Sequence, residues 1–402
     1  MLVKAVSYLL IFFGSVAALM ILPGSIELLL LTIGGIFPIR KIKAQKGSDK
    51  KKMRLAVIVP AHNEENGIEE CVGSLLSCDA REAAFDVIVV ADNCSDATAE
   101  RAVKAGAKVL TRKTEELRGK GYALDFAFAS LLPKGYDGFL VVDADTVVQG
   151  NLIDEFARLF REGADAVQCR YSVKNVDSSM RTRLMNVALM AFNTLRPRGR
   201  ENLGLSVGIF GNGFGLKTET VHAVSYRTNS IVEDLEYHLR LVRAGFRVRF
   251  TDRTAVFGEM PAQGKGVTTQ RARWEGGRFR MIKDFAPQLL KEIFQGKLRL
   301  TEPLLELLLL PLAFHVVLLL LVLVQEIFWL RALGAICLSI VLFHLAAALW
   351  VGKARMKDVL ALFFAPFYIL WKLTLLRKLF QSAKPEVEWV STERNTTREN
   401  KA

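Results

Sequence analysis

Polarity divides the chain into three blocks. Residues 5 to 37 are almost wholly apolar, interrupted by Pro23-Gly24 and Glu27. About 20 consecutive apolar residues span a bilayer, so this stretch predicts one crossing and part of a second. It is too long for a signal sequence, and no clear small-residue cleavage pattern follows it. From Leu55 short apolar runs at 55–59, 86–91, 107–110 and 138–142 alternate with amphipathic stretches at 65–77, 95–105, 119–132 and 151–163. Such alternation predicts βαβ units and a mostly parallel sheet. Residues 164–300 are more mixed, with a strand at 165–171, a helix near 180–195, a Gly-rich stretch at 204–215 and a helix from Glu233 to a Gly245 cap. The last third is apolar again, and its runs 304–324 and 328–350 are each long enough to cross. A third run, 359–376, contains Pro366 and Lys372 and reads as a crossing or a re-entrant segment.

Composition supports a membrane protein, with 51% hydrophobic residues in 402. The net charge of +13 gathers partly beside the apolar runs, at Lys43, Lys46, Lys50, Lys51 and Lys52 and again at Lys353, Arg355 and Lys357. The positive-inside rule then places the central block in the cytoplasm, as part of a multi-pass protein of the cell (inner) membrane. The charge suits anionic lipid headgroups, and no nucleic-acid-binding motif accompanies it. Five cysteines without CxxC or zinc spacing read as reduced structural thiols. The organisation that follows is an N-terminal membrane segment (1–38), a basic linker (39–53), a cytoplasmic α/β domain (54–265), interfacial helices (266–302), C-terminal membrane or interfacial segments (303–376) and a cytoplasmic tail (377–402).

Candidate chemistry sits where strands end. The run Phe139-Leu140-Val141-Val142 stops at Asp143 and Asp145, one residue apart. Residues i and i+2 share a face, and two carboxylates there repel unless a cation joins them; oxygen ligands suit Mg²⁺ or Mn²⁺. A polar turn with no metal is the competing reading. The first strand ends in Pro60-Ala61-His62-Asn63-Glu64, where Asn63 could instead cap the next helix. The second ends at Asp92, an acid placed to accept hydrogen bonds from a nucleoside, with Ser95 or Asp96 available to cap the next helix. No GxGxxG or Walker loop follows, which argues against hydride transfer and P-loop chemistry. Arg118-Gly119-Lys120-Gly121 opens a helix and is either an anion site or a solvated basic turn. Glu233-Asp234 is either a helix cap or an ionised general base. In Gln270-Arg271-Ala272-Arg273-Trp274, the residues Gln270, Arg273 and Trp274 share a helical face, which suits a phosphate and a sugar or else a basic interfacial helix.

The order of these motifs resembles the membrane-integrated family-2 glycosyltransferases, the group of the cellulose, hyaluronan and poly-N-acetylglucosamine synthases, over roughly residues 53–285 and the flanking membrane segments. The resemblance implies a GT-A-type domain flanked by transmembrane helices, binding a nucleotide-diphosphate sugar, with a UDP-sugar the expected donor. It implies donor contacts from Pro60, Asn63, Glu64, Asp92, Lys120, Asp143, Gln270, Arg273 and Trp274, and a metal on Asp143 and Asp145. Asp234 would be the base of an inverting transfer, with Gly211, Asn212, Gly213, Glu233 and Trp274 toward the acceptor. Val232 stands where the family often has Thr, and Trp389-Val390-Ser391-Thr392-Glu393-Arg394 is similar to the gating segment of the processive synthases. The implied function is growth of an exopolysaccharide, with an export partner or homo-oligomer completing a pore. The alternatives are transfer of one sugar to a lipid, and a non-catalytic membrane subunit.

Overall fold

The computed structural model describes residues 2–40, 52–114, 116–228, 230, 232–262 and 265–374, the side chains of 2–7 and 265–273 excepted. Its centre is an eight-stranded sheet: β1 (Met53–Ala61), β2 (Ala83–Asp92), β3 (Lys108–Arg112), β4 (Gly138–Val141), β5 (Thr146–Val148), β6 (Ala166–Val173), β7 (Phe214–Lys217) and β8 (Val248–Gly258). The spatial order is β3-β2-β1-β4-β7-β6-β8-β5. The first four strands in that order are mutually parallel, β7 runs antiparallel to both its neighbours, and β6 and β8 are again parallel.

Continuous apolar runs in β1 and β4 follow from burial on both faces. Successive side chains alternate. Val57 and Val59 therefore join one core with helices α2 (Ile68–Leu76) and α5 (Leu152–Arg161), while α3 (Thr98–Lys104) adds Ala102 at its edge. Ala56 and Ile58 join the other, under α4 (Lys120–Leu131). This second core is aromatic. Phe128 meets Phe139 edge-on at 5.4 Å between centroids, and Tyr226 lies 4.4 Å from Tyr237. Phe139→Ala is expected to cost about 3–5 kcal/mol through the cavity left behind. In thermal unfolding of the detergent-solubilised protein, that is a fall of roughly 6–20 °C.

Beyond β6 the expected helix near 180–195 continues further. It runs as α6 (Met180–Met190), a π-turn at Ala191–Leu195 and α7 (Arg196–Asn202). After β7 come α8 (Thr218–Ala223), α9 (Glu233–Ala244) and α10 (Lys265–Phe294). As expected, α9 ends at Gly245, whose φ of 97° only glycine adopts freely. The remaining helices are α11 (Thr301–Leu308), α12 (Leu312–Leu323), α13 (Phe328–Val351), α14 (Met356–Ala361) and α15 (Ala365–Thr374).

The apolar segments depart from expectation in three places. The N-terminal block is one helix, α1 (Leu2–Ile36), that runs through Pro23 rather than a crossing followed by part of a second. The run 304–324 is bent by 80° between α11 and α12, where Pro311 precludes a continuous helix. The described part of the run 359–376, up to Thr374, is broken into short pieces, and the ten residues described for α15 rise only about 15 Å. Among the described residues two helices, Tyr8–Ile36 and Phe328–Val351, are long and apolar enough to span a membrane, and the bent pair makes up to three.

Both long helices deliver their carboxyl ends to the α/β domain. A Cβ on Gly199 of α7 would lie 2.1 Å from the Leu31 carbonyl of α1, so glycine permits that close crossing. At the end of α13, Gly352 abuts Met190. α12 runs opposite to α1, since Leu309 packs at Gly24 and Gln325 at Gly14. Polar pairs between helices fix this bundle, with Thr32 Oγ1 2.7 Å from His344 Nδ1 and Ser25 Oγ 3.2 Å from His315 Nε2.

Candidate active site

Asp143 and Asp145 emerge at the carboxyl end of β4, beside the ends of β1 and β2, as the sequence predicts. Val142 N–H donates to Ile58 O at 3.0 Å, so the aspartates begin just where strand pairing stops. Both are half-buried. Their turn is braced: Thr146 N–H donates to Asp143 O at 3.1 Å, and Thr146 Oγ1 donates to Asp145 Oδ1 at 3.2 Å.

Asn212 supplies the second brace. Its Oδ1 accepts from Asp143 N–H at 3.1 Å, and its Nδ2 donates to Thr146 Oγ1 at 2.8 Å. This carboxamide is fully buried with both ends engaged, so Asn212 holds the aspartate turn instead of facing an acceptor. Burial of a satisfied amide also explains why a polar residue sits between two glycines here.

Lys120, the first residue of α4, reaches across the site. Its Nζ pairs with Asp143 Oδ1 and donates to Gly211 O at 2.5 Å. Gly211 has a φ of +75°, and a Cβ there would approach Asp234 Oδ2 to 3.1 Å. The loop can therefore pass this carboxylate only as glycine. Gly213, at φ +67°, is likewise closed to a side chain by Val256 and Cys169. Asp234 lies in the first turn of α9, with its Oδ1 accepting from Leu235 N–H at 2.8 Å. Glu233 flanks it and packs close to Gly121.

Electrostatics couple these groups. Burial raises the Asp234 carboxyl above the ordinary aspartate range and Asp143 adds to the rise; Leu235 N–H and Lys120 pull the other way. Burial disfavours the Lys120 ammonium, yet Asp143, Glu233 and Asp234 reverse this and hold it above the usual lysine value.

The side of the crevice formed by β1 and β2 is built from two matching strand ends. Asn63 and Asn93 both adopt left-handed φ, 55° and 51°, which asparagine tolerates. Asn63 Oδ1 accepts from Ser95 N–H at 2.9 Å, and Thr98 Oγ1 accepts from Glu64 N–H at 2.8 Å, tying the two loops together. Asn63 is therefore no helix cap, because α2 begins only at Ile68 behind Gly67. At the start of α3, Asp96 Oδ1 accepts from Thr98 N–H at 3.0 Å. Pro60 pairs in register with Val90, immediately before this loop. Asp92 is buried and bound to Arg112 Nη1 at 2.5 Å, and burial nevertheless leaves its carboxyl above the usual value. Arg112 is held by Leu117 O at 2.7 Å. The sequence reading passed over Arg112, although its place opposite Asp92 at the end of β3 was a usable signal.

Gln270 and Arg273 lie in the first turns of α10, and their side chains fall outside the described residues, as does the segment 389–394. Trp274 packs with Val173, Met185 and Met260. Val232, at the start of α9, fits against Gly277, where a Cβ would lie 2.5 Å away, and so docks α9 on α10.

The family profile described as Glycosyl transferase family group 2 matches residues 138–374, and that of Glycosyl transferase family 2 matches residues 56–218. The chain belongs to the family 2 glycosyltransferases. It is 25% identical over 261 residues to the probable glycosyltransferase YdaM of Bacillus subtilis, covering 63% of this chain and 61% of that one. It is 30% identical over 109 residues to the low-salt glycan biosynthesis hexosyltransferase Agl6 of Haloferax volcanii, covering 27% and 25%. The chain thus spans less than two thirds of the length of these relatives. Among solved structures, the mannosyltransferase PcManGT from Pyrobaculum calidifontis, in complex with GDP-Man and Mn²⁺, matches 92% of this chain and 97% of its own. The TM-score is 0.51 at 17% identity, a likeness of fold, and that fold is GT-A-like.

Among the described residues no three His, Cys, Asp or Glu side chains gather as a metal-ligand set. The two aspartates still fit Mg²⁺ or Mn²⁺, because such ions are commonly held by one or two carboxylates, with phosphate oxygens and water completing the shell. Both are hard oxygen donors on a braced turn.

Proposed function

We propose that the chain is an inverting, metal-dependent hexosyltransferase. It would move a sugar from a nucleotide-diphosphate sugar, a UDP-sugar by preference, to a growing polysaccharide at the cytoplasmic face of the cell membrane. One observation carries this reading: Lys120 links Asp143, on the diphosphate side, to the Gly211 carbonyl, on the loop that touches Asp234. Donor and base are thereby held in one frame. GDP-Man and Mn²⁺ in the mannosyltransferase of like fold belong to the same chemical class.

In this scheme Asp234 accepts the proton of an acceptor hydroxyl. The freed oxygen pair attacks the anomeric carbon from the side opposite the diphosphate, whose C–O bond breaks, and the configuration inverts. Asp143 and Asp145 would hold the divalent cation, which when bound neutralises charge on the leaving diphosphate. Lys120 keeps Asp143 oriented. Glu64, Asp92, Gln270, Arg273 and Trp274 remain the donor contacts that the family pattern assigns.

The test is a panel of UDP- and GDP-hexoses with the purified chain, reading nucleotide diphosphate release with Mg²⁺, Mn²⁺ or EDTA, followed by product sizing. Release with at least one donor, abolished by EDTA, is the expected result. Release insensitive to EDTA would remove the metal from the scheme. A second reading, transfer of one sugar to a lipid, is favoured by the helix inventory. The two unbroken helices and the bent pair among the described residues are too few by themselves to enclose a polymer, so a polymer would call on an export partner or a second copy of the chain. A product bearing a single sugar would decide for it.

A further inference from the structure

Behind the Gly211 loop lies a cavity of about 200 Å³, walled by the π-turn, α7, α9, α10 and α11. Phe210 and Leu235, the chain neighbours of Gly211 and Asp234, both line it, so it lies next to these two residues. Its polar lining is incompletely satisfied. His238 is 1% exposed and its Nδ1 has no hydrogen-bond partner; Arg196 is 5% exposed and its Nε and Nη2 have none. A buried polar group without a partner costs free energy, so these atoms point to a ligand.

The chemistry of that ligand follows from charge and shape. Ser206 Oγ accepts from Val248 N–H at 3.1 Å and lies 3.2 Å from His238 Nε2; in the tautomer in which this hydroxyl donates to Nε2, Nδ1 carries the proton and faces the cavity as a donor. Burial lowers the His238 imidazole to about 4, so it is neutral near pH 7. Arg200 is consumed by Glu302 at 2.5 Å and by Glu27 at 2.7 Å, Arg278 donates to the Glu306 and Leu307 carbonyls, and Arg196 Nη2 reaches Glu27 only at 3.6 Å, so Arg196 Nε and His238 Nδ1 are the lining donors with neither a hydrogen bond nor an ion pair. The Glu306 carboxylate shares the wall with Arg196, Arg200 and Arg278, 3.5 Å from Arg200, and sets an acceptor beside the donors. Donors, a carboxylate acceptor and the aromatic faces of Phe192 and Phe210 together match a neutral hydroxyl-bearing ring. The volume is below that of pockets for drug-sized ligands, which suits one ring.

We propose that this cavity receives a neutral sugar unit of the acceptor, held by Arg196, His238 and Glu306 against Phe210. The assignment rests on the transferase reading and specifies its acceptor side. It also explains the burial of charge at this junction, since the Arg196 and Arg200 pairs with Glu27 tie the cavity wall to the membrane helix α1.

Gly208 provides the test. It lines the cavity, its φ is unstrained, and a Cβ there would meet nothing closer than Phe210 at 3.4 Å. Gly208→Leu should fill the space, and Gly208→Ala should not. Full-length wild type and both variants, in nanodiscs, are titrated with methyl β-glucoside, methyl α-mannoside and methyl phosphate by saturation-transfer NMR. UDP or GDP with Mn²⁺ is titrated separately. The expected result is a glycoside signal from wild type and Gly208→Ala, weakened about tenfold or more in Gly208→Leu. Nucleotide binding should be alike in all three. A glycoside affinity indifferent to Gly208→Leu, no glycoside signal from nucleotide-binding wild type, or a preference for methyl phosphate would each overturn the proposal. Glycoside binding sensitive to Gly208→Leu in a protein that binds no nucleotide would leave the cavity standing and the transferase reading fallen.

Discussion

Asp234→Asn is expected to lower the transfer rate by about 10²–10⁴, the usual share of a positioned general base. The amide keeps the shape of the carboxylate and can still accept from Leu235 N–H, so the first turn of α9 is preserved. It cannot take a proton from the acceptor hydroxyl. The assay is product formation from the best donor, with nucleotide affinity measured in parallel. The pH profile adds a second readout. Burial and Asp143 hold the Asp234 carboxyl above the ordinary aspartate range, and the base works only when ionised. Activity should therefore fall with decreasing pH along a limb displaced to higher pH than an unperturbed aspartate would give, and that limb should vanish in the variant. Transfer unchanged in Asp234→Asn would remove the base assignment. A wild type that binds nucleotide yet turns over no donor would restore the reading as a non-catalytic subunit.

The parallel half of the sheet was legible because β1, β2 and β4 are buried on both faces and spell unbroken apolar runs. The strands β5, β7 and β8 were not. β5 and β7 have three and four residues, too short to show a period, and β8 carries Arg249, Asp252 and Arg253 within its span. Its buried charge is accommodated by Glu201, whose carboxylate accepts from Arg249 Nε at 2.7 Å, a pairing 48 residues apart that no local pattern reveals.

The site divides the same way. The placement of Asp143, Asp145 and Asp234 could be read because each stands at an element boundary, where a charged residue has a recognisable reason to be. Asn212, which the resemblance turns toward the acceptor, has its amide in a buried position under the aspartate turn, engaged at both ends. The cavity at Arg196 and His238 was invisible, because it draws on five elements and on residues that look individually like surface charges. Long-range placement decided both cases.

The second large effect concerns the aspartate turn. Asp145→Ala removes one of two oxygen donors available to a divalent cation, and charge stabilisation by such an ion is worth several kcal/mol in a transfer of this kind. A loss on the order of a thousand-fold in metal-dependent turnover is expected, with a raised Mn²⁺ requirement. Beside its place in the metal scheme, Asp143 acts electrostatically on Asp234, and two substitutions probe that effect. Its negative charge helps raise Asp234, whereas Lys120 lowers it. Asp143→Asn should therefore shift the acid limb of residual activity to lower pH, and Lys120→Met should shift it to higher pH. Opposite displacements would show that the lysine and the aspartate act on one base through the same short network. Displacements of the same sign, or none in either variant, would mean that Asp234 does not govern that limb.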